Sequence, residues 1–165
     1  MAAGRTYTPI ARQTLTTSQA QITLSSIPQI YTDLILVFSG TLVSTDVLVM
    51  RFNGDTGSNY SDTILEGNGS TAVSNRHSNY GYSFLNSINL GTGQINSLSH
   101  IMNYANSTTY KTALTSIITG ANVGDVILMA QIPYGASGGT VANKASKITS
   151  QREVALASSI IFVDQ

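Results

Sequence analysis

The sequence predicts an all-β fold: a single antiparallel β-sandwich, jelly-roll-like, with an extended N-terminal arm. Three observations carry this. Short apolar or alternating segments recur along the chain, clusters of Gly, Asn and Asp separate them, and no stretch shows the 3.6-residue period of an amphipathic helix. Hydrophobic residues are 42% of the 165, too many for a disordered polar tract. A chain of this length can bury about 70% of the surface its unfolded form exposes. The expected organisation is an arm over residues 1–15 and one domain over residues 16–165.

Taken in order, Thr6 to Leu15 is rich in β-formers but is broken by Pro9, which cannot donate to a ladder and so marks an edge strand or an arm. Gln21 to Leu24 alternates polar and apolar, as a half-buried strand does. Ile27 to Ile30 reads as a turn with apolar flanks. Asp33 to Ser39 and Val47 to Phe52 are continuous apolar runs of strand length. Asn53 to Asn59 is a dense turn cluster, and Tyr60 to Leu65 resumes as a strand. Gly67 to Asn79 is polar and reads as a long exposed loop.

Leu98 to Tyr104 and Tyr110 to Thr119 read as neighbouring strands joined by Ala105 to Thr108, and Gly124 to Ile132 as the next strand. Gly135 to Gly139 reads as a loop. Glu153 to Val163 is the last apolar segment, with helix and strand both open. The interior is expected to hold Leu34–Phe38, Val47–Phe52 and Val126–Met129. An immunoglobulin-like sandwich is the second choice, since Trp and Cys, its usual markers, are absent.

Eight Lys and Arg balance eight Asp and Glu, and charged residues are only 10% of the chain. Such a surface offers no electrostatic grip on nucleic acid or an anionic membrane, so neither is an expected partner. Ser (21) and Thr (20) together make 41 of 165 residues, so solubility rests on neutral hydroxyls and amides. That suits a crowded, fixed assembly. There is no cysteine for a disulfide or a thiolate metal site. Residues 1–13 lack the apolar core of a secretory signal, and no apolar run nears the roughly 20 residues of a membrane-spanning helix.

The chemical candidates are few. Asn53, Gly54, Asp55, Gly57 and Asn59 form an oxygen-rich loop, but their spacing does not match a calcium-binding EF-hand. They read as a structural hairpin turn in which glycines take positive φ and Asn or Asp side chains cap backbone amides. His77 reads as a solvated loop residue, and His100 as a structural strand residue. Two histidines cannot build a three-His zinc site, and no nucleophile elbow is present.

The eight carboxylates fall mostly at turns and strand ends. Gly135, Gly138 and Gly139 lack the Lys-Ser/Thr of a phosphate loop. Three Asn-x-Ser/Thr matches, at Asn59, Asn68 and Asn106, are what chance gives in so polar a chain. No catalytic, cofactor-binding or metal-binding residue is expected. Pro9, Tyr80 and Tyr82 are kept as a possible interaction surface, because tyrosine among small polar residues is a common recognition element.

Three blocks carry a family resemblance. One is Arg5 to Leu15 continued by Ser25 to Pro28 and Tyr31 to Val37. The second is Arg51 to Ser61, the most specific. The third is His100 to Thr112. In this order they resemble small virion structural proteins of aquatic tailed bacteriophages, including cyanophages. The resemblance implies a non-enzymatic capsid decoration or cement protein. Such a protein would sit on the outer surface of the head, bind major-capsid subunits and its own copies, and hold no cofactor. The alternative it leaves open is a tail-fibre or receptor-binding component contacting host surface glycans.

Overall fold

The computed structural model describes residues 9–67, 70–85, 93–119, 126–133, 148–154 and 159–163. Within them every helix or strand is a β-strand, and every strand pairing is antiparallel. The strands are β1 (Pro9–Thr14), β2 (Gln19–Leu24), β3 (Leu34–Gly40), β4 (Val49–Phe52), β5 (Tyr60–Gly67) and β6 (Ala72–Tyr80). They continue with β7 (Ser83–Phe84), β8 (Ile95–Met102), β9 (Thr112–Thr119), β10 (Val126–Pro133), β11 (Ile148–Val154) and β12 (Ser159–Val163). One sheet has eight strands in the order β1-β12-β3-β8-β9-β10-β5-β6. The other has four, β2-β11-β4-β7.

The two sheets share one apolar cluster. The larger contributes Leu34, Leu36, Phe38, Ile64, Ile95, Ile101 and Ile117, and the smaller Ile22, Leu24, Val49, Met50 and Phe52. Strand alternation explains the pattern on β5, where Tyr60, Asp62 and Ile64 are buried while Thr63 and Leu65 are exposed. β8 alternates in the same way. Two buried hydroxyls of this core pair with each other, Ser99 and Thr115 lying 2.8 Å apart across β8 and β9, while the buried Ser97 hydroxyl has no hydrogen-bond partner. Of the expected interior runs, Leu34–Phe38 is buried except for half-buried Val37, and Val47–Phe52 except for half-buried Val47 and Arg51. The side chains of Val126–Met129 lie outside the described residues.

Several expectations change. The loop expected over Gly67 to Asn79 is largely the nine-residue strand β6, exposed on both faces and therefore without an alternating signature. Residues 1–8 of the expected arm, and the Gly135 to Gly139 loop, lie outside the described residues. Of the two readings of Pro9, the edge strand holds for Pro9–Thr14, which pairs with β12 at the edge of the large sheet. A local reading cannot see that ladder partner, which comes from the other end of the sequence. The open segment before Val163 resolves in part as the strand β12.

The third sequence block interlocks with the first. Asp33 accepts from His100 Nε2 at 3.0 Å and from the Asn103 N–H at 2.8 Å. The Tyr104 hydroxyl donates to the Pro28 carbonyl, and Tyr104 is fully buried. Asn103, at φ 50°, turns the chain after β8. Lys111 is buried, and its amine donates to the carbonyls of Asn106 and Thr109. Burial pushes that amine below the usual lysine range.

Candidate functional site

Of the residues singled out from sequence, Asn53 to Asn59, Tyr80 and Tyr82 meet at one place, where the β4–β5 connection touches the end of β6, whereas Pro9 lies on β1 at the opposite edge of the large sheet. Asn53 and Gly54 take φ 54° and 73°, and the Asp55 N–H donates to the Phe52 carbonyl at 2.9 Å. Positive φ at both central residues makes a type I′ turn, which favours Asn-Gly. The connection is nevertheless no hairpin, because β4 lies in the small sheet and β5 in the large one.

The chain must change sheets here, and side chains of the loop itself brace the crossing. Asp55 Oδ1 accepts from the Gly57 N–H at 2.8 Å, and Oδ2 from Asn59 Nδ2 at 2.9 Å. The Asn59 N–H donates to the Gly57 carbonyl at 2.7 Å. The buried Tyr60 hydroxyl accepts from the Phe52 N–H at 3.1 Å and donates to the Asp55 carbonyl at 3.4 Å. Burial pushes its pKa up to about 12.

Arg51 and Gly81 join this loop to the tyrosines. Arg51 Nε donates to the Gly81 carbonyl at 2.7 Å, and its guanidinium lies 5.8 Å from the centre of the Tyr82 ring. A Cβ on Gly81 would sit 2.7 Å from the Thr56 carbonyl oxygen, so only glycine allows the two segments to approach this closely. Tyr80 and Tyr82 are half-buried and pack on the core. Their ring centres are 5.5 Å apart, and those of Tyr82 and buried Phe84 are 5.1 Å apart, edge to face. Much of their surface is therefore spent within the molecule.

Sequence reasoning missed the pair beneath these rings. His77 is not a solvated loop residue. It lies on β6 opposite Asp62 of β5, with Nδ1 2.7 Å from Asp62 Oδ1. The His77 side chain is 27% exposed and that of Asp62 is 0% exposed. The second oxygen, Asp62 Oδ2, is buried without a hydrogen-bond partner. His77 also contacts Phe84 and Tyr80, with ring centres at 5.0 and 5.4 Å.

Residues three apart on a strand normally face opposite ways, yet His77 and Tyr80 share a face. The cause is a bulge: Asp62 pairs with His77 but Tyr60 pairs with Tyr80, so β6 carries one extra residue, and Asn79 takes φ 62°.

Burial raises the pKa of Asp62 above its ordinary value of 3.8, and the hydrogen bond and charge of His77 offset part of this. An acid whose folded pKa is raised supplies stability that is full below the ordinary pKa and is lost as pH rises through the raised one. Asp62→Asn removes that loss. Relative to wild type, the variant should gain stability as pH rises from about 4 to 7, by about 1–3 kcal/mol, the cost of a buried unsatisfied polar group. Thermal melts across this range check it, and a wild-type advantage that grows with pH would contradict it.

Chemically, a buried carboxylate that orients a partly exposed imidazole is half of an acid–base unit. Among the described residues no three of His, Cys, Asp and Glu gather to hold a metal ion. No protein-family model and no curated protein matches the chain. Among solved structures, the crystal structure of the marine PL-14 alginate lyase from Aplysia kurodai is similar over 84% of this chain and 72% of that one. The identity is 9% and the TM-score 0.30, a likeness too slight to bear on fold or activity.

Proposed function

We propose that this chain is a phage virion structural protein, a capsid decoration or cement protein on the outer surface of the head. In this reading it is a jelly-roll-like β-sandwich that binds major-capsid subunits and its own copies, and it catalyses nothing. The three sequence blocks supply the family resemblance. The sharing of one core cluster by two sheets supports the sandwich.

One structural observation carries the functional part. The outer face of the eight-stranded sheet is uncharged and in part apolar across its central strands, with Arg12 on β1 and Arg76 on β6 at its two edges. Leu65, Leu98 and Leu114 are 54%, 45% and 40% exposed there. The register sets half-buried Val37 beside Leu98, and Leu98 beside Ser116. Among the side chains described on β3, β5, β8 and β9, this face carries no Lys, Arg, Asp or Glu. An ordinary soluble domain has about a quarter of its residues charged. A face so short of charge is a liability when bare and an asset when covered by symmetry-repeated neighbours. Multivalency then supplies the strength that single contacts lack.

Particles lacking the protein should assemble but release their contents at lower temperature than complete particles. Particles that stay equally robust yet fail to adsorb to cells would replace this reading with the tail-fibre one.

A further inference from the structure

Among the described residues, strand β6 ends the eight-stranded sheet and pairs only with β5. Its residues Ala72 to Arg76 are exposed whichever way they face, and Val73, on the core side of the sheet, is still 45% exposed. The strand therefore overhangs the core. It is ordered at an entropic cost with almost no apolar burial in return. Its outer edge presents unpaired backbone donors and acceptors, a template for another strand.

Other edges are blunted. β1 is shorter, carries Pro9 and Arg12 and is bulged at Pro9. β7 has two residues, and β2 lies against β1. β6 has no proline and one charged residue, Arg76, and its register with β5 is regular from Ala72 to His77.

We propose that β6 pairs antiparallel with β6 of a second copy, about a two-fold axis perpendicular to the sheet that passes between the two Asn75 residues. This axis keeps both outer faces on one side of a continuous sheet. It requires symmetry about a residue, since residues directly opposite one another in an antiparallel ladder share a face.

Charge and length select which residue. Centring on Arg76 sets like charges opposite each other, which destabilises a ladder. Centring on Ser74 leaves only Ala72 to Arg76 of the strand paired. Centring on Asn75 uses Ala72 to Ser78. It sets Arg76 opposite Ser74, His77 opposite Val73 and Asn75 opposite itself. The strand is thus complementary to its own copy, which singles out a second copy as occupant over an unrelated chain.

The inference rests on the self-association part of the reading above and is independent of where in a virion the protein sits. Its test uses the absence of cysteine. Opposed Cα atoms in an antiparallel pair are about 4.5 or 5.5 Å apart, within disulfide reach. Under mild oxidation Asn75→Cys should convert from monomer to covalent dimer on a non-reducing gel. Ser74→Cys and Arg76→Cys should each stay monomeric alone and cross-link when mixed. All three positions are exposed, so folding is not at stake.

Sedimentation of the unmodified chain separates the failures. A dimer whose Asn75→Cys form does not cross-link, or cross-links no better than Ser74→Cys, overturns the β6 assignment and leaves self-association standing. A chain that stays monomeric at its highest soluble concentration, with no cross-link, overturns both.

Discussion

A chain ending at Lys147 is expected not to fold. β11 and β12 follow that residue, and each is inserted between two earlier strands. β11 lies between β2 and β4, and β12 between β1 and β3. Among the described residues, β1 has no ladder partner but β12, and β2 none but β11. Removing both frees β1 and β2, leaves β4 with only the two-residue β7, and exposes one side of β3. Ile22, Leu24, Val49, Met50 and Phe52 then lose the sheet that holds them against the core.

A domain is stable by only about 5–15 kcal/mol, a margin too thin to survive the loss of an interior strand from each sheet. The measurement is soluble yield with far-ultraviolet circular dichroism. A truncated chain that is soluble and melts cooperatively near the wild-type temperature would refute this topology. β11 and β12 thus complete both sheets.

Leu36→Asp should also abolish folding, by a different route. Leu36 is 3% exposed on β3, a strand paired on both sides, between Leu34 and Phe38 of the same inner face. Losing the leucine costs about 2–5 kcal/mol. Burying an unpaired carboxylate adds several more, or forces its protonation. The sum reaches the full stability of the domain. Expression in the insoluble fraction is the expected result. A soluble variant with unchanged melting would remove Leu36 from the core.

Legibility in the sequence followed burial. β3 and β4 lie in apolar runs, and β5, β8 and β9 alternate or carry β-branched residues, so a period-two reading finds them. β6 (AVSNRHSNY) and β11 (ITSQREV) are mostly polar and yield no pattern. β6 is a strand because β5 offers it a ladder, and β11 because it sits between β2 and β4; neither is a local property.

The Asp62–His77 pair had a faint signal. The two residues lie symmetrically about Gly69 and Ser70, so a hairpin centred there sets them opposite each other. That His77 and Tyr80 share a face could not be read, since it depends on the Asn79 bulge. The Asn53 to Asn59 turn was legible in its chemistry, while its job of joining two sheets was not. Tyr80 and Tyr82 were recognisable as a pair, but their packing against Phe84 and Arg51 emerged only from the fold.

The central claim, a decoration protein of the phage head, is tested most directly by counting copies per purified particle. Quantitative mass spectrometry against the major capsid protein gives that count. Hundreds of copies, in fixed ratio to the capsid subunit, are the predicted result. Tens or fewer would place the protein on the tail and contradict it.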